Sequence, residues 1–308
     1  MADNKSFMIT PQYLQCHDKI GIVATARKIT PEELQPAIDK FTEWGLDVVL
    51  GKNIFSECYQ YAGTDDQRTT DIQQMLDDDT IKAIICARGG YGIIRIIDRL
   101  DFSKFVKNPK WIIGYSDVTV LHSHIQQNFG IETLHATMPL NFPPDGKDNN
   151  ALITLKKALF GEKIDYTIET NTLNRKGNAA GNIIGGNLSL LYALSGTPSD
   201  IDTRGKVLFI EDLDEYLYHI DRMMIQLKRS GKLKTLAALI VGGMTEMKDN
   251  TVPFGKTAYK IIAETISEYN YPVCFGFPAG HIEDNRALIM GRKVLLDVSE
   301  ASVRLEFK

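Results

Sequence analysis

Lys19-Ile20-Gly21-Ile22-Val23-Ala24-Thr25 is an apolar run of strand length, and Thr30-Pro31-Glu32-Glu33 close behind it opens a helix. Thr30 is suited to the cap, Pro31 to the first turn, and the two early glutamates to the positive end of the helix dipole. That helix should run to about Trp44, before Gly45. The same unit then recurs: residues 47–50 read as a strand, 64–76 as a helix, 81–86 and 111–114 as strands, and 117–128 as a helix that stops before Gly130. Short apolar runs alternating with longer helical patterns predict a parallel sheet wrapped by helices, flavodoxin-like or Rossmann-like.

From Pro139 to Asn150 three prolines and a loss of periodicity mark a connection. The division is expected there, with residues 1–145 as the first α/β domain and 146–308 as a β-rich α/β second domain. The second half predicts a short helix over 151–160, strand pieces at 166–169 and 182–184, and a helix over 187–194. A strand over 206–210, a helix over 218–228 with Met223, Met224 and Leu227 on one face, and strands at the end complete it.

With 308 residues, 44% hydrophobic and 24% charged, the chain has enough apolar material for two cores and lies far from disordered, collagenous or coiled-coil compositions. Lys+Arg number 35 against Asp+Glu 39, a formal charge of −4, so no basic excess is available to neutralise a nucleic-acid backbone. Met1-Ala2-Asp3-Asn4-Lys5-Ser6 carries both charge signs and does not read as a signal peptide. The longest apolar run, about 236–244, contains Gly242 and Gly243 and reads as a buried strand, well short of the roughly 20 residues of a membrane helix. Cys16, Cys58, Cys86 and Cys274 form no C-x-x-C pair and read as free thiols in a reducing cytoplasm. A cytoplasmic enzyme without membrane or nucleic-acid partner is the expectation.

Four segments could carry chemistry. In Trp111-Ile112-Ile113-Gly114-Tyr115-Ser116-Asp117-Val118 a strand runs into a helix with a serine at the junction, near amides and a dipole end able to hold an oxyanion. It lacks the G-x-S-x-G elbow pattern, and Ser116 could instead simply cap the helix. Ala87-Arg88-Gly89-Gly90-Tyr91-Gly92 follows the third strand; its glycines open backbone amides to a ligand, as a tight turn, a phosphate loop or half of an oxyanion hole facing Ser116. In Leu208-Phe209-Ile210-Glu211-Asp212-Leu213-Asp214-Glu215 a strand delivers four carboxylates, and Glu211, at the strand end, is the one placed to orient a histidine. His281 closes Phe275-Gly276-Phe277-Pro278-Ala279-Gly280-His281. His122 and His124 point to different helix faces, and His17, His135 and His219 lie in no metal-binding context, so no metal and no other cofactor is expected.

Together with Gly185-Gly186-Asn187-Leu188 and Asp221-Arg222, these segments resemble the LD-carboxypeptidase family of serine peptidases over nearly the whole chain. The family includes murein tetrapeptide LD-carboxypeptidases, which remove terminal D-alanine in cell-wall peptide recycling, and microcin C resistance peptidases. The resemblance implies Ser116 as nucleophile, His281 as general base and Glu211 as its orienting carboxylate, meeting at the interface of two domains. It also implies an oxyanion hole from the backbone N–H of Asp117 and of Gly89 or Gly90, and a homodimer. Arg88 is the nearest cation for the carboxylate of the D-residue; its structural alternative is a pairing with a carboxylate of the second domain. The murein tetrapeptide is the favoured small-peptide substrate over an aminoacyl-nucleotide analogue, because the one candidate loop for stacking on adenine, residues 245–255, carries Phe254 but no tryptophan. A non-catalytic small-ligand-binding protein is the alternative from another class.

Overall fold

The computed structural model describes residues 8–308, so the opening read above as no signal peptide lies outside the described residues. In the first half β1 (Lys19–Val23), α1 (Pro31–Glu43), β2 (Asp47–Leu50), α2 (Asp65–Asp77) and β3 (Ile81–Cys86) follow one another, then α3 (Ser103–Lys107), β4 (Trp111–Gly114), α4 (Thr119–Phe129) and β5 (Thr133–His135). α1 and α2 start where capping boxes fix them, Thr30 with Glu33 and Thr64 with Gln67. In the second half come α5 (Asn150–Leu159), β6 (Asp165–Ile168), β7 (Gly177–Asn187), α6 (Leu188–Ala193) and β8 (Val207–Leu213). They are followed by α7 (Leu217–Arg229), β9 (Ala238–Thr245), α8 (Ala258–Thr265), β10 (Val273–Phe275), β11 (Leu288–Met290), β12 (Lys293–Val298) and β13 (Val303–Phe307).

Two sheets result. The first has the order β11-β5-β4-β3-β1-β2, with β1 to β5 all parallel and β11 added antiparallel at the edge. The second has the order β10-β9-β8-β7-β12-β13-β6, parallel from β10 to β7 and antiparallel beyond. This is the two-part α/β architecture that the sequence predicts. β11 is the exception to a clean division, since a strand from the end of the chain completes the first sheet. α5 also packs with the first sheet: Leu152, Leu155 and Leu159 share a core with Phe41 and Trp111, and that same core continues to Phe209 and Ile240 of the second sheet. None of the described helices is long and apolar enough to cross a membrane.

Parallel strands end on a common edge, where ligands of such sheets bind. Residues that follow β3 and β4 and residues at the ends of β7 and β8 line one cleft, and all four strands carry the segments singled out above.

Candidate active site

Ser116 sits at the turn between β4 and α4 with φ +62°, a left-handed conformation that is strained for a serine. A short 3-10 turn over Ser116–Val118 precedes α4, so the junction is sharper than the continuous helix expected from the sequence. Gly89 lies directly opposite: a Cβ there would stand 2.9 Å from both Cβ and Oγ of Ser116. The N–H groups of Gly89 and Gly90 donate to no acceptor in the described residues. Asp117 points the other way, into the core. Its Oδ2 accepts the N–H of Ile93 at 2.8 Å, which ties the glycine loop to the serine turn. Burial pushes this carboxyl up to about 7, against the pull of that hydrogen bond and of Arg68.

Glu211 lies inside β8, two residues short of its end, where the sequence had suggested the end itself. The pairing with β9 shifts register between Ile210 and Asp212, a bulge of the kind that re-aims a side chain beside a functional site. Glu211 is fully buried, and its Oε2 meets His281 Nδ1 at 2.6 Å and His281 N–H at 3.1 Å. Gly280 makes this approach possible, with φ +103° and its missing Cβ 2.7 Å from the Glu211 side chain. Burial opposes ionisation of both partners, but charge and hydrogen bonding outweigh it: His281 holds Glu211 below the usual carboxylate value, and Glu211 raises His281 above the usual imidazole value. With Nδ1 engaged, Nε2 is the nitrogen left for the cleft. Ser116 and His281 line one cleft of about 390 Å³, with Glu211 behind the histidine. Thr119, in the first turn of α4, closes the two halves over this site. Its Oγ1 accepts the N–H of Asn187 at 3.0 Å, and it stands where a Cβ on Gly186 would be, 2.5 Å away.

Residues 20–136 match the LD-carboxypeptidase N-terminal domain and residues 180–296 the LD-carboxypeptidase C-terminal domain. The chain belongs to the LD-carboxypeptidase family. It is 39% identical over 305 residues to the probable murein peptide carboxypeptidase of Bacillus subtilis, covering 96% of this chain and 94% of that protein. A crystal structure of muramoyltetrapeptide carboxypeptidase from Oxalobacter formigenes matches with a TM-score of 0.85 at 27% identity, over 94% of this chain and 98% of that one. The microcin C7 self immunity protein in complex with aspartyl sulfamoyl adenosine shares the fold, with a TM-score of 0.85 at 22% identity over 98% of this chain and 99% of that one.

The rest of this LD-carboxypeptidase cleft is charged on both walls. Arg88 lines it and donates from Nη1 to the carbonyl of Lys28 at 3.0 Å, so the expected alternative of a carboxylate partner from the second half is absent among the described residues. Arg27 lines the same wall, and a Cβ on Gly90 would stand 2.6 Å from its side chain. Sequence reasoning missed Arg27, whose neighbourhood carries no motif. Asp212 and Asp214 lie on the opposite wall, and the four carboxylates of the β8 segment have four different settings. Asp212 accepts from Asn187 Nδ2 and from the N–H of Ser189 and Leu213, each at 2.9 Å, and burial together with the Glu211 charge pushes it up to about 7. Asp214 pairs with Lys248 at 2.6 Å and Glu215 with His219 at 2.5 Å, and among the described residues Glu211 is the carboxylate that contacts His281.

Proposed function

We propose that the protein is a serine LD-carboxypeptidase that releases terminal D-alanine from murein tetrapeptide, working from Ser116, His281 and Glu211. The observation that carries the reading is the 2.6 Å contact of His281 Nδ1 with buried Glu211, made in the cleft that also holds the strained Ser116. In this reading His281 Nε2 takes the Ser116 proton as Oγ attacks the carbonyl preceding D-alanine. Glu211 holds the ring and stabilises the imidazolium. The oxyanion is met by the N–H of Asp117 and that of Gly89 or Gly90, whose free amides and proximity to Ser116 support the assignment. His281 then returns the proton to the leaving amine, D-alanine departs, and water hydrolyses the ester on Ser116. Arg88 and Arg27, both lining the cleft, form the carboxylate-binding wall, because a free carboxylate needs a cation and neither arginine is paired with a carboxylate of the described residues.

The chain divides near 145/146 into a half that carries the nucleophile and a half that carries its base. Free cysteines, two of them buried, fit a reducing cytoplasm, and the family resemblance supports a homodimer that light scattering of the purified protein would reveal. The nucleotide-analogue reading is less well supported: no residue of 245–255 is among those lining the Ser116 cleft, and that loop borders a separate one with Leu217 and Lys256. Free D-alanine released from the tetrapeptide, with an aminoacyl sulfamoyl adenosine assayed in parallel, tests the choice. Release of D-alanine at much the higher kcat/KM is expected; faster cleavage of the nucleotide would reverse the order.

A further inference from the structure

His135 ends β5, in register with Gly114 on one side and Leu288 on the other. It is completely buried, and neither ring nitrogen has a hydrogen-bond partner among the described residues. The ring lies between Tyr115, 5.9 Å away by centroids, and Phe209, 5.0 Å away and edge-on. Both neighbours belong to the site: Tyr115 packs 4.8 Å from the His281 ring, and Phe209 precedes Glu211 by two residues in β8. Three more buried polar atoms of this region have no hydrogen-bond partner among the described residues: Glu211 Oε1, Asn285 Nδ2 and, on the far side of the His135 ring, His122 Nδ1. Asn285 is fixed here because its Oδ1 accepts the N–H of Gly280 at 2.9 Å, and Gly280 lies against the Glu211 side chain. Interior polar atoms are rarely left unpaired, and two donors with one carboxylate acceptor are a set that a single enclosed water satisfies.

We propose that His135 is a positioning residue: as a neutral imidazole it joins Asn285, through one enclosed water, in hydrogen bonding the second oxygen of Glu211, and so fixes the carboxylate that orients His281. This rests on the catalytic reading given above. Burial lowers His135 to about 4, so it remains uncharged over the working range and offers one N–H. The titratable and charged groups facing the pair are His135 itself, Tyr115, Asp212 and Glu246, with His122 on α4 facing His135 at 6.4 Å. Without a donor on its second oxygen, the Glu211 carboxylate is less well stabilised. The Glu211–His281 pair then holds its proton more tightly, and the acidic limb of kcat/KM moves to higher pH.

The experiment is the pH profile of D-alanine release for the unsubstituted protein and for His135→Phe, His135→Gln, His135→Asn and Asn285→Leu. His135→Phe and Asn285→Leu should move the acidic limb up by about one pH unit with little change in KM. At least one amide variant, whose NH2 replaces a ring N–H, should restore the original limb. An unmoved limb in His135→Phe, or an equal shift in all three His135 variants, overturns the assignment; if His135→Phe fails to fold, an unmoved limb in Asn285→Leu overturns it. Absence of D-alanine release by the unsubstituted protein would overturn the catalytic reading itself, and is read separately from the limb.

Discussion

Gly89 leaves room for the hydroxyl it faces. A methyl group there would press on Ser116 at 2.9 Å, and the loop cannot yield freely because Asp117 holds it through Ile93. Gly89→Ala keeps the backbone N–H but should push it off the proposed oxyanion position, so it should keep the fold and lower kcat by about 100- to 1,000-fold, as for one oxyanion donor removed; steady-state release of D-alanine with a parallel melting curve checks it. The His281 environment gives a second expectation. Glu211 raises the imidazole above its ordinary 6.5, and the general-base role proposed for His281 requires a neutral ring, so activity should appear only as pH climbs past that value. Full kcat/KM well below 6.5 would contradict the assignment. At this scale the sequence was informative where backbone chemistry is local, as at Ser116 between strand and helix. It was silent about His135, because a lone histidine on a short strand acquires meaning only from what later packs against it.

Thr30 and Thr64 show why element boundaries were legible: each cap satisfies its helix from within four residues, and α1 and α2 begin within a residue of the expected positions. β5 and β11, three residues each, are too short for a periodic pattern, and β7 runs well beyond the expected 182–184 because Gly177 to Gly181 has no apolar alternation. Nor could sequence show that the β8 strand continues past Glu211 with a shifted register, since the shift depends on the pairing with β9. β7 also provides a test. Gly185 has φ +116°, and a Cβ there would run into the Phe209 carbonyl of β8. Gly185→Ala combines backbone strain with a clash against main chain and should destabilise by at least ~3 kcal/mol. Chemical denaturation measures it, and a loss below about 1 kcal/mol would mean that the strand pair does not close as described.

Across the whole molecule, the candidate site lies where segments distant in sequence meet, and that meeting is the part the sequence could not derive from its own patterns. Resemblance joined Ser116 to Glu211 and His281; packing explains how, through a core continuous between the sheets, Thr119 against Gly186, and β11 on the edge of the first sheet. Arg292, just after β11, pairs with buried Glu132, just before β5, at 2.6 Å. Arg292→Met leaves that carboxylate buried and unpaired and should cost about 3–5 kcal/mol, whereas replacing both partners by methionine should recover much of the loss. Equal stability of the single and double variants, measured by urea unfolding, would show that the pair does not fasten the halves. In the proposed function this interface holds an acyl-transfer site built on Ser116. Release of D-alanine from murein tetrapeptide by Ser116→Ala, with an unchanged melting curve, tests it most directly: a fall in kcat of about 10⁴- to 10⁶-fold is predicted, and release at the unsubstituted rate would contradict it.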